Sequence, residues 1–346
     1  RARWAGAPRP APAGRPVSER GRALVRERMW TLDVITFSLE PVAPFRLDLT
    51  AWVLRRRAGN VIDRWDGSTY RRVLVLQGQP LEVEVAQIGS PGKPILQVTT
   101  AGTMLPPDTE VLVESALTRT LGLNADLSEF YGFVERQPKL HALARQFRGV
   151  KPPRFPTIFE ALVNAMACQQ ISLNVGILLL SRLAATFGPL GPEQGAIAHA
   201  FPTPEDLAGL DTAALRPLGF SHQKARAIIE LASAISEKQL SLDELEHLDS
   251  EVVSDRLRRL RGVGRWSAEY VLLRGLGRLH VFPGDDVGAR NRLRQWLGLA
   301  LPLDYEGVRQ SVAQWRPYGG FIYFHLLLRG LSEAGILNVK AERGME

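Results

Sequence analysis

Cysteine is almost missing from this chain: Cys168 is the only one in 346 residues. An internal disulfide is therefore excluded, as is any zinc or iron–sulfur site built on four cysteines, and the composition fits a reducing cytoplasm. No apolar run reaches the roughly 18 residues of a membrane span, so no membrane partner is expected. The first residues also lack the apolar segment of a secretory signal. Positive charge is in excess, but the excess nearly vanishes in the body of the chain. Of a net charge of +7, residues 1–28 supply +6, with eight Arg against two Glu. Affinity of the body for a polyanion must then come from local clusters rather than from a global field. The rest of the composition, 45% hydrophobic and 23% charged, is that of a globular protein with room for two or three domains.

Residues 1–28, rich in Arg, Pro and Ala, have no apolar periodicity and are expected to be disordered; a basic arm that touches DNA is the functional alternative. The chain does not open on Met, and the first strand-like pattern begins at Met29, a candidate start. Trp30 to Leu39 alternates, Phe45 to Arg57 is helix-like after Pro44, and Arg71 to Gln77, Leu81 to Ile88 and Ile95 to Thr100 alternate again. Pro106-Pro107 and Gly122 bracket a helix over Asp108 to Leu121. Residues 29–125 are predicted as one small α+β domain, an antiparallel sheet with helical cover. Residues 126–346 are predicted to be almost entirely helical. The apolar pattern Ile158 to Phe187 should break near Ser172, and helices are expected over Pro204 to Gly209, Thr212 to Leu215, His222 to Ser236 and Ser250 to Leu260. No repeat of solenoid length is visible.

The stretch Leu260-Arg261-Gly262-Val263-Gly264-Arg265-Trp266 lies between two helical patterns, so a hairpin is predicted over 257–270, with its glycines taking positive φ. Such a turn leaves the N–H groups of Gly262 and Gly264 at the start of the second helix, where the dipole favours an anion. Plain helix connections also carry Gly-x-Gly. Here Arg256, Arg258, Arg259, Arg261 and Arg265 surround it, which points to a phosphate. About twenty residues later, Pro283-Gly284-Asp285-Asp286 precedes the helical pattern Val287 to Trp296. Both carboxylates suit a helix cap; held near DNA, one of them suits stabilising positive charge that develops on a sugar. The related stretch Leu215 to Phe220, followed by Lys224, reads as a simple turn.

These residues resemble the helix-hairpin-helix, Gly-Pro-Asp (HhH-GPD) superfamily of base-excision DNA glycosylases, in its 3-methyladenine DNA glycosylase II (AlkA-like) branch. Cys168-Gln169-Gln170-Ile171-Ser172 resembles that branch's minor-groove loop, and roughly 29–337 is covered. The resemblance implies an α+β enzyme whose sheet domain precedes a helical core of two subdomains. It implies a monomer on double-stranded DNA, cytoplasmic and nucleoid-associated if bacterial, that flips an alkylated purine out of the stack. Asp286 would stabilise the oxocarbenium-like sugar, with Asp285 in support, and Trp266 and Tyr270 would face the base. A π face attracts a cationic base by roughly 0.5–2 kcal/mol. Gly262, Val263, Gly264, Arg265, Gln169, Gln170 and Ser172 would contact DNA. The carbonyls of Arg258, Leu260 and Val263 would hold a monovalent cation, with no other cofactor required and no iron–sulfur cluster.

This chain departs from the best-known bacterial member at three places. Val287 and Leu327 stand where that member has aromatics, and Gln170 stands where it has a leucine wedge. A glutamine can hydrogen-bond to the orphaned partner base instead of stacking. Lyase-competent relatives carry a lysine where this chain has Trp266, so a monofunctional enzyme is implied. A non-catalytic DNA-binding module is the competing reading, and Trp266 and Tyr270 also fit a core role. His280 and His325 lie in apolar stretches and read as structural, and Cys168 as a small buried hydrophobe.

Overall fold

A computed structural model describes residues 32–192 and 197–337. The extension 1–28 and the candidate start at Met29 lie outside the described residues. The protein is α+β. Strands β1 (Asp33–Leu39), β2 (Arg64–Trp65), β3 (Thr69–Leu76), β4 (Gln79–Gln87) and β5 (Leu96–Gly102) form one antiparallel sheet in the order β1-β5-β4-β3-β2. The β3–β4 hairpin pairs Leu76 with Gln79 across a two-residue turn, and Gln77 and Gly78 both take positive φ, as the twist of a tight hairpin requires. β2 is too short to show a period in the sequence, and it was not anticipated.

The helix α1 (Leu47–Arg55) is apolar on two faces. Leu47, Ala51 and Leu54 pack on the sheet with Val83, Val85 and Val98, and α2 (Thr109–Leu121) covers the same core through Val113 and Leu117. Leu49 and Val53, four residues apart on the other face, join a second core with Phe321, Phe324 and Leu328 of α14 (Gly319–Glu333). That second core also takes in α3 (Ser128–Glu135), α4 (Pro138–Gln146), α12 (Val287–Leu297) and α13 (Tyr305–Ala313). A third core is built by α5 (Ile158–Cys168), α6 (Leu173–Phe187), α7 (Pro204–Leu207), α8 (Thr212–Leu215), α9 (His222–Ser236), α10 (Ser250–Arg258) and α11 (Arg265–Arg274). The predicted break near Ser172 separates α5 from α6, and Ser172 caps α6.

The same face of the sheet, where Arg72 lies opposite Val83, is tied to α5 by a buried ion network. Arg72 of β3 meets Glu160 of α5 at 2.5 Å and Asp63 at 2.6 Å, and Tyr70 donates its hydroxyl to Asp63 at 2.8 Å. Removing one member of such a network strands a buried charge, at a cost of about 3–5 kcal/mol. Among the described residues no helix is long and apolar enough to cross a membrane.

Candidate active site

Between α10 and α11 the chain turns through Arg259 to Gly264. The Val263 N–H donates to the Leu260 carbonyl at 3.2 Å, and the Val263 side chain is buried in the helical core. Gly262 has φ +76°, and a Cβ there would lie 3.0 Å from Ala227 Cβ, so glycine is needed for both conformation and space. Gly264 corrects the expectation. Its φ is −95°, open to any residue, and nothing lies within 4 Å of where its Cβ would be. What its bareness leaves open is the approach to the backbone. The N–H groups of Gly264, Arg265 and Trp266 meet no acceptor among the described residues, and α11 has no side-chain cap. By contrast, α6, α9 and α12 are capped by Ser172, Ser221 and Asp286. Bare amides at the positive end of a helix dipole suit an anion.

The five arginines around the hairpin are not equivalent, which also corrects the sequence reading. Arg256 pairs with Glu244 at 3.4 Å, Arg261 with Glu230 at 2.5 Å, and Arg265 with Asp285 at 2.7 Å while lying 3.6 Å over the Tyr305 ring. Arg258 and Arg259 are exposed and form no ion pair among the described residues. Two free guanidiniums and the bare helix start are what the turn offers a phosphate.

Beside the hairpin stands the α5–α6 loop. Gln169 is turned inward: its Nε2 donates to the Gly262 carbonyl at 2.7 Å and to Ser267 Oγ at 2.6 Å, which makes it a strut between loop and hairpin. Lys224, at the start of α9, donates to the carbonyls of Ala167 and Gln169 at 2.9 and 2.7 Å. This lysine, which follows the turn Leu215 to Phe220, thus braces the loop. Gln170 is the exposed tip, held at φ +55°, and Ile171 and Ser172 are exposed next to it. A non-glycine residue in the left-handed region stores on the order of 1–3 kcal/mol of strain and persists only where its surroundings impose it.

Asp286 caps α12. Its Oδ1 accepts from the Ala289 N–H at 2.8 Å and its Oδ2 from the Tyr323 hydroxyl at 3.0 Å. The preceding turn is locked from α11: Glu269 accepts from the Gly284 N–H at 3.0 Å and the Tyr305 hydroxyl at 2.6 Å. A Cβ on Gly284 would meet the Tyr305 ring at 2.8 Å, so only glycine fits there. Burial pushes the Glu269 carboxyl above its usual range. Asp286 opens onto a cleft of about 1170 Å³ that Trp266 and Tyr270 also line. Their rings lie 5.4 Å apart, tilted by 33°. Tyr270 is 3% exposed and Trp266 half-buried, so the core role and the pocket role coincide. Val287 and Leu327 line the same cleft, as do Gln169, Gln170 and Arg265.

Sequence reasoning missed Arg56, which follows α1 at φ +58° and is 4% exposed. It reaches the cleft and donates to the Tyr270 hydroxyl at 2.7 Å and to Asn164 Oδ1 at 2.6 Å. No local signal marks it, since 214 residues separate it from Tyr270. Cys168 is corrected too: it is only partly covered and lines the cleft, and burial pushes its thiol up. His325 is fully buried, its Nδ1 bonded to the Phe321 carbonyl at 2.9 Å, and burial holds it down to about 4. His280 bonds Ser250 Oγ at 3.1 Å, and burial lowers its pKa. Neither histidine lines the cleft. The carbonyls of Arg258 and Val263 accept no backbone hydrogen bond among the described residues, and that of Leu260 accepts one. Free carbonyls on a tight turn fit a cation.

Comparison with known proteins shows what the chain is similar to. The family model for HhH-GPD superfamily base excision DNA repair proteins matches residues 163–317. The DNA-3-methyladenine glycosylase 1 of Schizosaccharomyces pombe is 30% identical over 164 residues, which cover 47% of this chain and 68% of that protein. The probable bifunctional transcriptional activator/DNA repair enzyme AlkA of Mycobacterium tuberculosis is 32% identical over 209 residues, 60% of this chain; the match spans only 40% of that longer relative. Among solved structures, the 3-methyladenine DNA-glycosylase from Archaeoglobus fulgidus superposes with a TM-score of 0.75 at 26% identity, covering 84% of this chain and 97% of that one.

Proposed function

The chain belongs to the HhH-GPD superfamily of base excision DNA repair proteins, and from that premise we propose that it is a monofunctional glycosylase of alkylated purines in duplex DNA. The observation that carries this reading is the opening of Asp286 onto a cleft walled by Trp266 and Tyr270, beside an uncapped, arginine-flanked helix start. A backbone phosphate meets the amides at Gly264 and Arg265, with Arg258 and Arg259 adding free charge. Gln170, at the tip of its loop, enters the space left by a flipped nucleotide and hydrogen-bonds to the orphaned base. The flipped base stacks against Trp266 and Tyr270.

Asp286 then faces the sugar. Its carboxylate offsets positive charge on the deoxyribose as the C1′–N bond lengthens, and it orients the attacking water. The Tyr323 hydroxyl and the α12 amide hold the carboxylate without neutralising it. Among the described residues no lysine lines the cleft, so in this reading water rather than an amine attacks, and the product is an intact abasic strand. A monovalent cation on the carbonyls of Arg258, Leu260 and Val263 would add positive charge to the phosphate site. 3-Methyladenine and 7-methylguanine, already cationic, have weakened glycosidic bonds and leave fastest. The chain acts as a monomer in this reading.

The test is release of free bases from N-methylated duplex DNA, resolved by base. Release of both methylpurines with unbroken strands is expected. Binding to DNA with no base released would replace the proposal with a non-catalytic DNA-binding module.

A further inference from the structure

The cleft that Asp286 lines, and the core just behind it, hold hydrogen-bond donors that meet no acceptor among the described residues. The Tyr270 hydroxyl accepts from Arg56, and its own proton meets no acceptor among the described residues. Trp266 Nε1 is buried without a partner among the described residues. Behind Tyr270 lies Arg274, 1% exposed, its guanidinium 5.6 Å from the Tyr270 ring centroid and 5.2 Å from that of Phe155. Among the described residues only its Nη2 finds a partner, the Val53 carbonyl at 2.8 Å, while Nε and Nη1 have none. Neither Arg56 nor Arg274 forms an ion pair among the described residues, although Arg72, equally buried, has two carboxylates. Buried cations and donors left without partners are costly, and native proteins keep them where a guest supplies the missing charge.

We propose that Arg56 and Tyr270 form a specificity-determining pair that stabilises negative charge on a departing base. The proposal rests on the glycosylase reading above. In glycosidic cleavage the C1′–N bond breaks heterolytically and its electron pair stays with the base. A base that was cationic leaves neutral and needs no help. A base that was neutral leaves as an anion, and the Tyr270 proton, turned away from the Arg56 N–H, is free to point at it. Water bonds to C1′ and gives up a proton, which in the end neutralises the base. Arg56 acts as a positioning residue: by donating to the Tyr270 oxygen it commits the phenol to donating its own proton onward, and its charge strengthens that donation. Burial raises the Tyr270 pKa, more than the two guanidiniums lower it, so the phenol keeps its proton and donates a hydrogen bond.

The experiment compares single-turnover release of hypoxanthine, a neutral base, with that of 7-methylguanine from duplexes matched in sequence. Tyr270→Phe keeps the ring and its stacking. Arg56→Gln removes the charge, and Arg56→Lys restores it. In both Tyr270→Phe and Arg56→Gln the ratio of hypoxanthine to 7-methylguanine rates is expected to fall by about tenfold or more, the worth of one charge-assisted hydrogen bond. Arg56→Lys is expected to recover part of that ratio, which a merely structural loss would not do. A ratio within threefold of the parent in Tyr270→Phe would overturn the proposal. So would a parent enzyme that releases 7-methylguanine and no hypoxanthine. Release of neither base would overturn the glycosylase reading, and the pair's assigned role with it.

Discussion

Asp286→Asn separates the two tasks of one side chain. As a helix cap, asparagine is nearly equivalent to aspartate, and its Oδ1 can keep the Ala289 amide bond of 2.8 Å. What goes is the charge at the start of α12, about 0.3–1 kcal/mol, and the acceptor for the Tyr323 hydroxyl now 3.0 Å away, about 0.5–1.5 kcal/mol. The variant should therefore fold and melt within a few degrees of the parent. Loss of a preorganised charge at a developing cation typically lowers the rate by about 10²–10³, or roughly 2.7–4 kcal/mol of barrier. The chemical effect thus exceeds the structural one. Single-turnover release of 7-methylguanine measures the first, and thermal melting the second. DNA affinity should hold or rise, since a negative charge near the phosphates is gone. A release rate within threefold of the parent in a folded variant would refute the reasoning. A full loss in Asp285→Asn alone, a residue bonded to Arg265, would move the assignment by one position.

Gly264→Asp should keep the fold, because the position is open and Asp is a favoured cap, yet weaken binding to damaged and undamaged duplex alike. Titrations across salt check this, and unchanged affinity would mean that the hairpin does not face DNA. Borohydride treatment during turnover should trap no protein–DNA adduct, and strands should break only after alkali or heat; an adduct mapping to any lysine would exclude attack by water. His325 should make stability depend on pH on the acid side. The unfolded imidazole takes up a proton near 6.5 and the folded one only near 4, so stability is full above pH 6.5 and falls as the pH drops towards 4. The loss is about 3 kcal/mol, and denaturant titrations at the two ends of that window should find it smaller in His325→Phe. Equal losses in parent and variant would contradict it.

Local backbone rules were legible where a turn or cap residue marks the end of an element. Gly262 announces a left-handed turn, Ser172 a cap at the break between α5 and α6, and Asp286 a cap after Pro283-Gly284, each within four residues of the groups it serves. The helices α3 and α4 had no such marks in the reading, and β2 was too short to carry a period. Gly264 misled, because spacing does not tell a glycine needed for its φ from one needed for its bareness.

The sequence by itself determined the α+β class, the hairpin and the Asp286 cap of α12, since helix starts, turns and periodicity are interactions between near neighbours. Only the tertiary structure decided which charges are spent and which are free. It paired Arg256, Arg261 and Arg265 with acids and left Arg258 and Arg259 exposed. It turned Gln169 inward and Gln170 outward, brought Tyr323 onto Asp286 across 37 residues, and carried Arg56 to Tyr270. The reason is physical: α1 is apolar on two faces, and only packing against both the sheet and α14 aims its end into the cleft.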